Sequence, residues 1–168
     1  MDKYIYFAAQ LPLLVFDKEP ALGIEKFLEE GRKWLSDSDY TLLSEVSINA
    51  SDPAKSDPAV LRGYKLYEFM LRNELKHYRQ SLKARQEHKP GLFSPMVLKE
   101  GNPLDVEKKL LQLRWQLIGE LEFGHYSDIE FFILYYLKLQ ILKRLQQFDK
   151  EQGKENFLTY TELAYEQD

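Results

Sequence analysis

The sequence predicts an all-α fold, a helical bundle in which one long amphipathic helix packs on a central helical hairpin. Three observations predict it. No stretch alternates polar and apolar residues between hairpin turns, as half-buried strands do. From Val60 onward, Tyr64, Tyr67, Leu71, Leu75, Tyr78 and Leu82 recur three or four residues apart, the period of one helical face. From Ile129 to Leu137 only Glu130 interrupts an apolar run, and a helix apolar on nearly every side must be buried on nearly every side.

The elements follow in chain order. Tyr4 to Leu11 is aromatic and apolar without clean alternation, so a short buried helix and a strand both fit, and Pro12 ends it. Leu22, Ile24, Phe27, Leu28, Gly31, Trp34 and Leu35 recur at helical spacing among charged residues, which predicts an amphipathic helix. Ser36 to Asp39 offers the cap of a second short helix carrying Tyr40, Leu42 and Leu43. These make up an N-terminal helical segment over 1–49. Asn49 to Ser56 is polar and turn-rich, a loop by composition.

Asp57 and Pro58 form a helix start, an acidic cap followed by proline at the first helical position. The long helix then runs over about 57–88, roughly 45 Å at the standard rise, with a narrow apolar stripe like the seam of a coiled coil or helical hairpin. Lys89, Pro90 and Gly91 break it, and the segment to Pro103 reads as a loop long enough to reverse the chain. The central hairpin follows, one helix over 104–122 and a second over 128–149. Between them Gly124 closes the first helix in the left-handed conformation. Ser127 caps the second, with Glu130 completing a capping box. Gly153 sets off a last helix over 153–165. A length of 168 residues suits one domain, with the main bundle over 57–150.

Composition narrows the function. The chain is 44 % apolar and 30 % charged, as soluble globular proteins are. It contains no cysteine, which excludes disulfides and thiolate catalysis and agrees with a reducing compartment. The N-terminus carries an acid at position 2 and lacks the basic flank of a signal peptide. The run ending at Lys138 falls short of the ~20 residues that span a bilayer. The expected location is therefore cytoplasmic, with membrane contact only through a partner. A net charge of −4 argues against nucleic acid, whose phosphates favour a basic protein. A helical regulator binding nucleic acid along the basic helix is the weakest of the readings weighed.

The charge is uneven. Residues 57–89 hold eight Lys or Arg against four Asp or Glu, a net +4 that leaves −8 for the remainder. Arg72, Lys76, Arg79 and Lys83 form a basic row beside the apolar stripe. Such a row can dock an acidic partner or phosphates, although an ordinary solvated face, its basic end matched to the helix dipole, looks the same. At the hairpin corner, Glu122 and His125 have the Glu-x-x-His spacing of di-iron bundles, with Glu120, Asp128 and Glu130 nearby. A single pair interrupted by Gly124 is not a dinuclear set, so His125 and the acids are read as bonding backbone groups at the corner. No phosphate-binding glycine loop or nucleophile elbow is present, and the three histidines are scattered. The chain is read as non-enzymatic, with no catalytic residue, metal or cofactor. The competing reading is a metal-dependent helical enzyme at the 120–130 corner.

Several stretches together resemble an uncharacterised bacterial family encoded beside V-type ATP synthase genes. They are Tyr6 to Pro12, Leu71 to Leu75 with Arg72 inside it, Leu113 to Trp115 with Arg114 inside it, Glu120 to Tyr126, and Tyr136 to Leu142 followed by Arg144. The resemblance covers nearly the whole chain. Operons of that family often lack an evident gene for the helical funnel that seats the central stalk on the membrane ring. The pattern from Tyr136 to Arg144 is faintly similar to the repeated helix motif of that funnel protein, which is about twice as long and threefold repeated. The resemblance implies an accessory, stalk or rotor-adaptor subunit, or an assembly factor, of a bacterial V-type ATPase, a shortened relative of the funnel or a stand-in for it. It would be peripheral to the inner membrane through the complex, touching the central-stalk or membrane-ring side. It carries over no catalytic residues. Arg72, Lys76, Arg79, Lys83, Glu122 and His125 are the candidate partner-binding residues.

Overall fold

The computed structural model describes residues 2–86 and 88–148. Among them the chain forms α1 (Asp2–Gln10), α2 (Ile24–Trp34), α3 (Asp37–Glu45), α4 (Ala59–Ala84), α5 (Met96–Lys99), α6 (Pro103–Leu121) and α7 (Ile129–Gln146). The described residues contain no strand, and the all-α expectation holds. The helix expected over 153–165 lies outside the described residues.

The bundle is built around α7. Ten of its side chains are buried, from Phe132 through Leu137 without a break and then Leu139, Ile141, Leu142 and Leu145. Burial on every side requires neighbours on every side, and α2, α3, α4 and α6 all pack against it. Each large apolar side chain taken out of water contributes about 1.5–3 kcal/mol. α6 runs antiparallel to α7 as the hairpin predicts: Lys138 Nζ meets Glu122 Oε2 at 2.6 Å near the corner, and Arg144 reaches Glu107 near the open end. α4 lies antiparallel to α6, with a second, smaller cluster of Leu71, Leu75, Phe93 and Leu110 beyond the main core.

The ambiguous N-terminal stretch is a helix. Its Phe7 stacks on Phe132 with centroids 4.8 Å apart, and Phe27 of α2 stacks on Phe7 and on Tyr136. This aromatic cluster supplies the burial that a nine-residue helix cannot do without in water. α2 and α3 fall where their periodicity predicts, and Ser36 caps α3 by accepting from the Asp39 amide. After α3 the chain is clamped onto α7 by Gln140, which accepts from the Ile48 N–H and donates to the Val46 carbonyl. Tyr64 of α4 adds a hydroxyl donated to the Ile48 carbonyl.

Helix ends differ from expectation in instructive ways. Pro58, not Asp57, is the N-cap of α4. The Asp57 carboxylate turns back instead, accepting from the Ala54 amide and from Lys65 Nζ. α4 stops at Ala84, short of 88, because Arg85 takes the left-handed conformation (φ 54) and its amide and that of Gln86 return to the carbonyls of Leu82 and Ser81. At the corner, Asp128 rather than Ser127 caps α7, its Oδ1 accepting from the Phe131 amide at 2.9 Å. α6 ends at Leu121, and Gly124 (φ 89) carries the left-handed turn two residues beyond the cap Glu122. The start of α6 carries a capping box that periodicity alone does not show: Asn102 accepts from the Asp105 amide, and Asp105 from the Asn102 amide.

Candidate functional site

The basic row begins on a buried acid. Glu68 lies on the apolar stripe of α4 between Tyr64 and Leu71 and is only 1 % exposed. Arg114 of α6 meets it in a two-pronged bond, Nε to Oε2 at 2.8 Å and Nη2 to Oε1 at 3.0 Å. Arg72, one turn along α4, donates Nε to Glu68 Oε1 at 2.8 Å and Nη2 to the Asn49 carbonyl at 2.7 Å. A carboxylate so enclosed needs this many donors, because a buried charge is tolerated only when paired and hydrogen-bonded. Burial works against the Arg114 cation, but the hydrogen bond and charge of Glu68 outweigh it and raise its affinity for the proton. Burial, with the Glu68 charge beside it, holds the Tyr64 phenol well above its ordinary value, so it remains a neutral donor.

Arg72 is therefore tied to the buried carboxylate and to the loop after α3, with its side chain still 45 % exposed. The row is divided. Lys76, Arg79 and Lys83 continue it as exposed residues with no ion pair among the described residues. Together with Arg72, Leu75 and Gln80 they border an open depression of about 330 Å³ along α4. The face of α4 turned away from the core also exposes Leu66, Phe69 and Met70, and Leu82 lies exposed beside Lys83.

A second concavity, about 200 Å³, opens where α4, α6, α7 and the loop at Asn49 meet. Glu68, Arg72, Arg79, Glu107, Arg114 and Arg144 line it. Arg144 Nη2 lies 2.7 Å from Glu107 Oε1 as an ion pair, while its Nε is shut away from solvent without a hydrogen-bond partner among the described residues. Of these six, the sequence reading singles out Arg72 and Arg79 as site residues. The signal for the rest was a lone acid, Glu68, on an apolar stripe; its partner Arg114 is 46 residues away.

The corner does not bring Glu122 and His125 to one point. Glu122 pairs with Lys138, whose ammonium also lies 5.1 Å from the Trp115 ring centre. His125 Nδ1 lies 2.6 Å from Asp128 Oδ2. The acids that gather with His125 are Asp128 and Glu130, with one ligand atom from each of the three within 4.8 Å of the others. A cation there would have to displace the His125–Asp128 bond and would sit at the positive end of α7. Phe123 and Tyr126 flank the corner and are largely exposed.

Among the described residues no helix is long and apolar enough to cross a membrane. Residues 92–163, which take in α5, α6 and α7, match the model of a family described as a protein of unknown function, DUF2764. No curated protein and no solved structure matches the chain.

Proposed function

We propose that this chain is a non-catalytic accessory or stalk/rotor-adaptor subunit, or an assembly factor, of a bacterial V-type ATPase, acting through helix-mediated docking. The observation that carries the docking chemistry is the exposed row Lys76, Arg79 and Lys83 on α4, with no ion pair among the described residues and with Leu82 exposed at its end. A cationic row steers and registers an acidic partner helix, while neighbouring apolar side chains such as Leu66, Phe69 and Met70 supply desolvated anchor area. The partner itself is supplied by the sequence resemblance, whose two arginine-bearing stretches contribute Arg72 and Arg114 to the same buried carboxylate. That bond stiffens α4 against α6 beneath the docking face. Deletion of the gene should lower the amount of assembled ATPase and its ion pumping, with rescue by the intact gene but not by a Lys76→Glu/Lys83→Glu version that folds normally. Unchanged assembly and pumping in the deletion strain would sink the reading.

A metal-dependent helical enzyme at the corner is the second reading, favoured by the gathering of His125, Asp128 and Glu130. It predicts stoichiometric metal in protein purified without chelator, lost on His125→Ala. Metal-free protein that gains no stability with added zinc, manganese or iron would dismiss it.

A further inference from the structure

Where α4, α6 and α7 meet, four arginines share one cleft with two carboxylates. Arg72 and Arg114 are taken up by Glu68, and Arg144 shares Glu107, whereas Arg79 has no acidic partner among the described residues. Four guanidinium groups against two carboxylates leave a formal surplus of two positive charges around about 200 Å³ of space. A surplus of that size beside apolar walls (Ile48, Leu110 and Leu111) is unfavourable unless an anion or solvent answers it. Arg144, which lines the same space, has Glu107 as its ion-pair partner among the described residues, and its side chain is 41 % exposed, within reach of a ligand in the cleft.

The geometry points to a binding site for one phosphate-type oxyanion, either inorganic phosphate or the phosphate of a small phosphomonoester. Charge favours phosphate over carboxylate: a phosphate monoester carries about −1.5 to −2 at neutral pH, which matches the surplus, and its oxygens can serve more than one guanidinium fork. Size sets the upper limit. Pockets that enclose drug-sized ligands occupy roughly 300–1,000 Å³, so this cleft suits a phosphate group and a few attached atoms rather than an entire nucleotide. Arg79, exposed and without an acidic partner among the described residues, is the cation free to meet the anion, and Arg144 shares its charge with Glu107. The site shares Arg79 with the docking row but not Lys76 or Lys83, so reversing those two lysines tests docking without changing the lining of the cleft.

The test is calorimetric titration of the full chain with inorganic phosphate and with glycerol phosphate at low ionic strength, where screening is weak. The expected result is saturable one-to-one binding, weakened at least tenfold by Arg79→Gln and by Arg144→Gln and unchanged by Lys26→Gln, an equal loss of charge on α2. Tighter binding of glycerol phosphate would assign the site to a phosphomonoester, and tighter binding of inorganic phosphate to the free anion; both outcomes support the site. Arg79 is exposed, so its variant folds irrespective of any effect on Arg144. Absence of saturable binding, or binding that Arg79→Gln leaves intact or that Lys26→Gln weakens as much, would overturn the proposal.

Discussion

Arg114 grips Glu68 through two parallel bonds, 2.8 and 3.0 Å, across the α4–α6 interface, and the carboxylate it holds is 1 % exposed. An ion pair this deep is not primarily a source of stability, because desolvating both charges offsets most of their attraction. Its consequence is asymmetric: without Glu68 the buried Arg114 is stranded, whereas without Arg114 the carboxylate still keeps Arg72.

Glu68→Leu should therefore cost about 3–5 kcal/mol, since it leaves Arg114 buried without its counter-charge. The double variant Glu68→Leu/Arg114→Leu should lose markedly less than the single one. Urea midpoints of the four proteins in the cycle measure this directly. A double variant as unstable as the sum of the two singles would show that the pair is an ordinary sum of independent contacts.

Asp57 gives the fold a pH dependence of known sign. Burial opposes its ionisation, but the Ala54 amide together with Lys65 and Arg62 outweighs it and holds the carboxyl below its ordinary value of 3.8. A group with a lowered folded-state value contributes stability that is complete above the unfolded value and disappears as pH falls through the folded one. Asp57→Asn should thus cost about 1–2 kcal/mol at neutral pH, with the difference from the parent protein shrinking below 3.8. A difference that stays constant down to strongly acidic pH would contradict the assignment.

Gly101 and Asn102 act on a single helix start. Gly101 has φ 97, and a Cβ there would lie 2.7 Å from the Asp105 Cβ, so alanine cannot be accepted without shifting the capping box. Asn102→Ala removes one half of that box at a cost of about 1 kcal/mol, and Gly101→Ala should cost at least as much. Combined, they should cost less than their sum. Amide exchange in the first turn of α6 should accelerate in each variant.

Burial should separate large from negligible effects. Leu137→Ala, at a fully buried site on α7, should cost about 2–5 kcal/mol. Leu13→Ala, where the side chain is 91 % exposed, should change stability by less than about 0.5 kcal/mol. Thermal or urea denaturation of the two variants checks the contrast.

The elements that could be read from the sequence are those whose signal is local. The unbroken apolar run of α7 forces central burial whatever surrounds it. The cap of α3 falls within Ser36 to Asp39, and the hairpin is announced by Gly124. Where two caps compete, as Ser127 and Asp128 do, one residue of register is decided by which oxygen reaches the Phe131 amide. Arg85 in the left-handed conformation has no sequence signature, because the favoured residue there is glycine or asparagine. The site was legible only in part, for the same reason. Lys76, Arg79 and Lys83 are exposed by their place on the polar face, whereas the commitment of Arg72 to Glu68 and Asn49 depends on a loop 23 residues away. The arginine cleft needs α4, α6 and α7 together. Glu68 on the apolar stripe was its one local sign.

The central claim is that the exposed cations of α4 dock this chain to a V-type ATPase. The most direct measurement is affinity purification of the protein, tagged at its own locus, from mildly detergent-solubilised cells, beside an equally abundant Lys76→Glu/Lys83→Glu variant. The account predicts V-type ATPase subunits bound to the parent protein, in near-stoichiometric amounts for a subunit and in traces for an assembly factor, with at least a tenfold loss on charge reversal. Recovery of the parent protein without those subunits, or equal recovery with the variant, would contradict it.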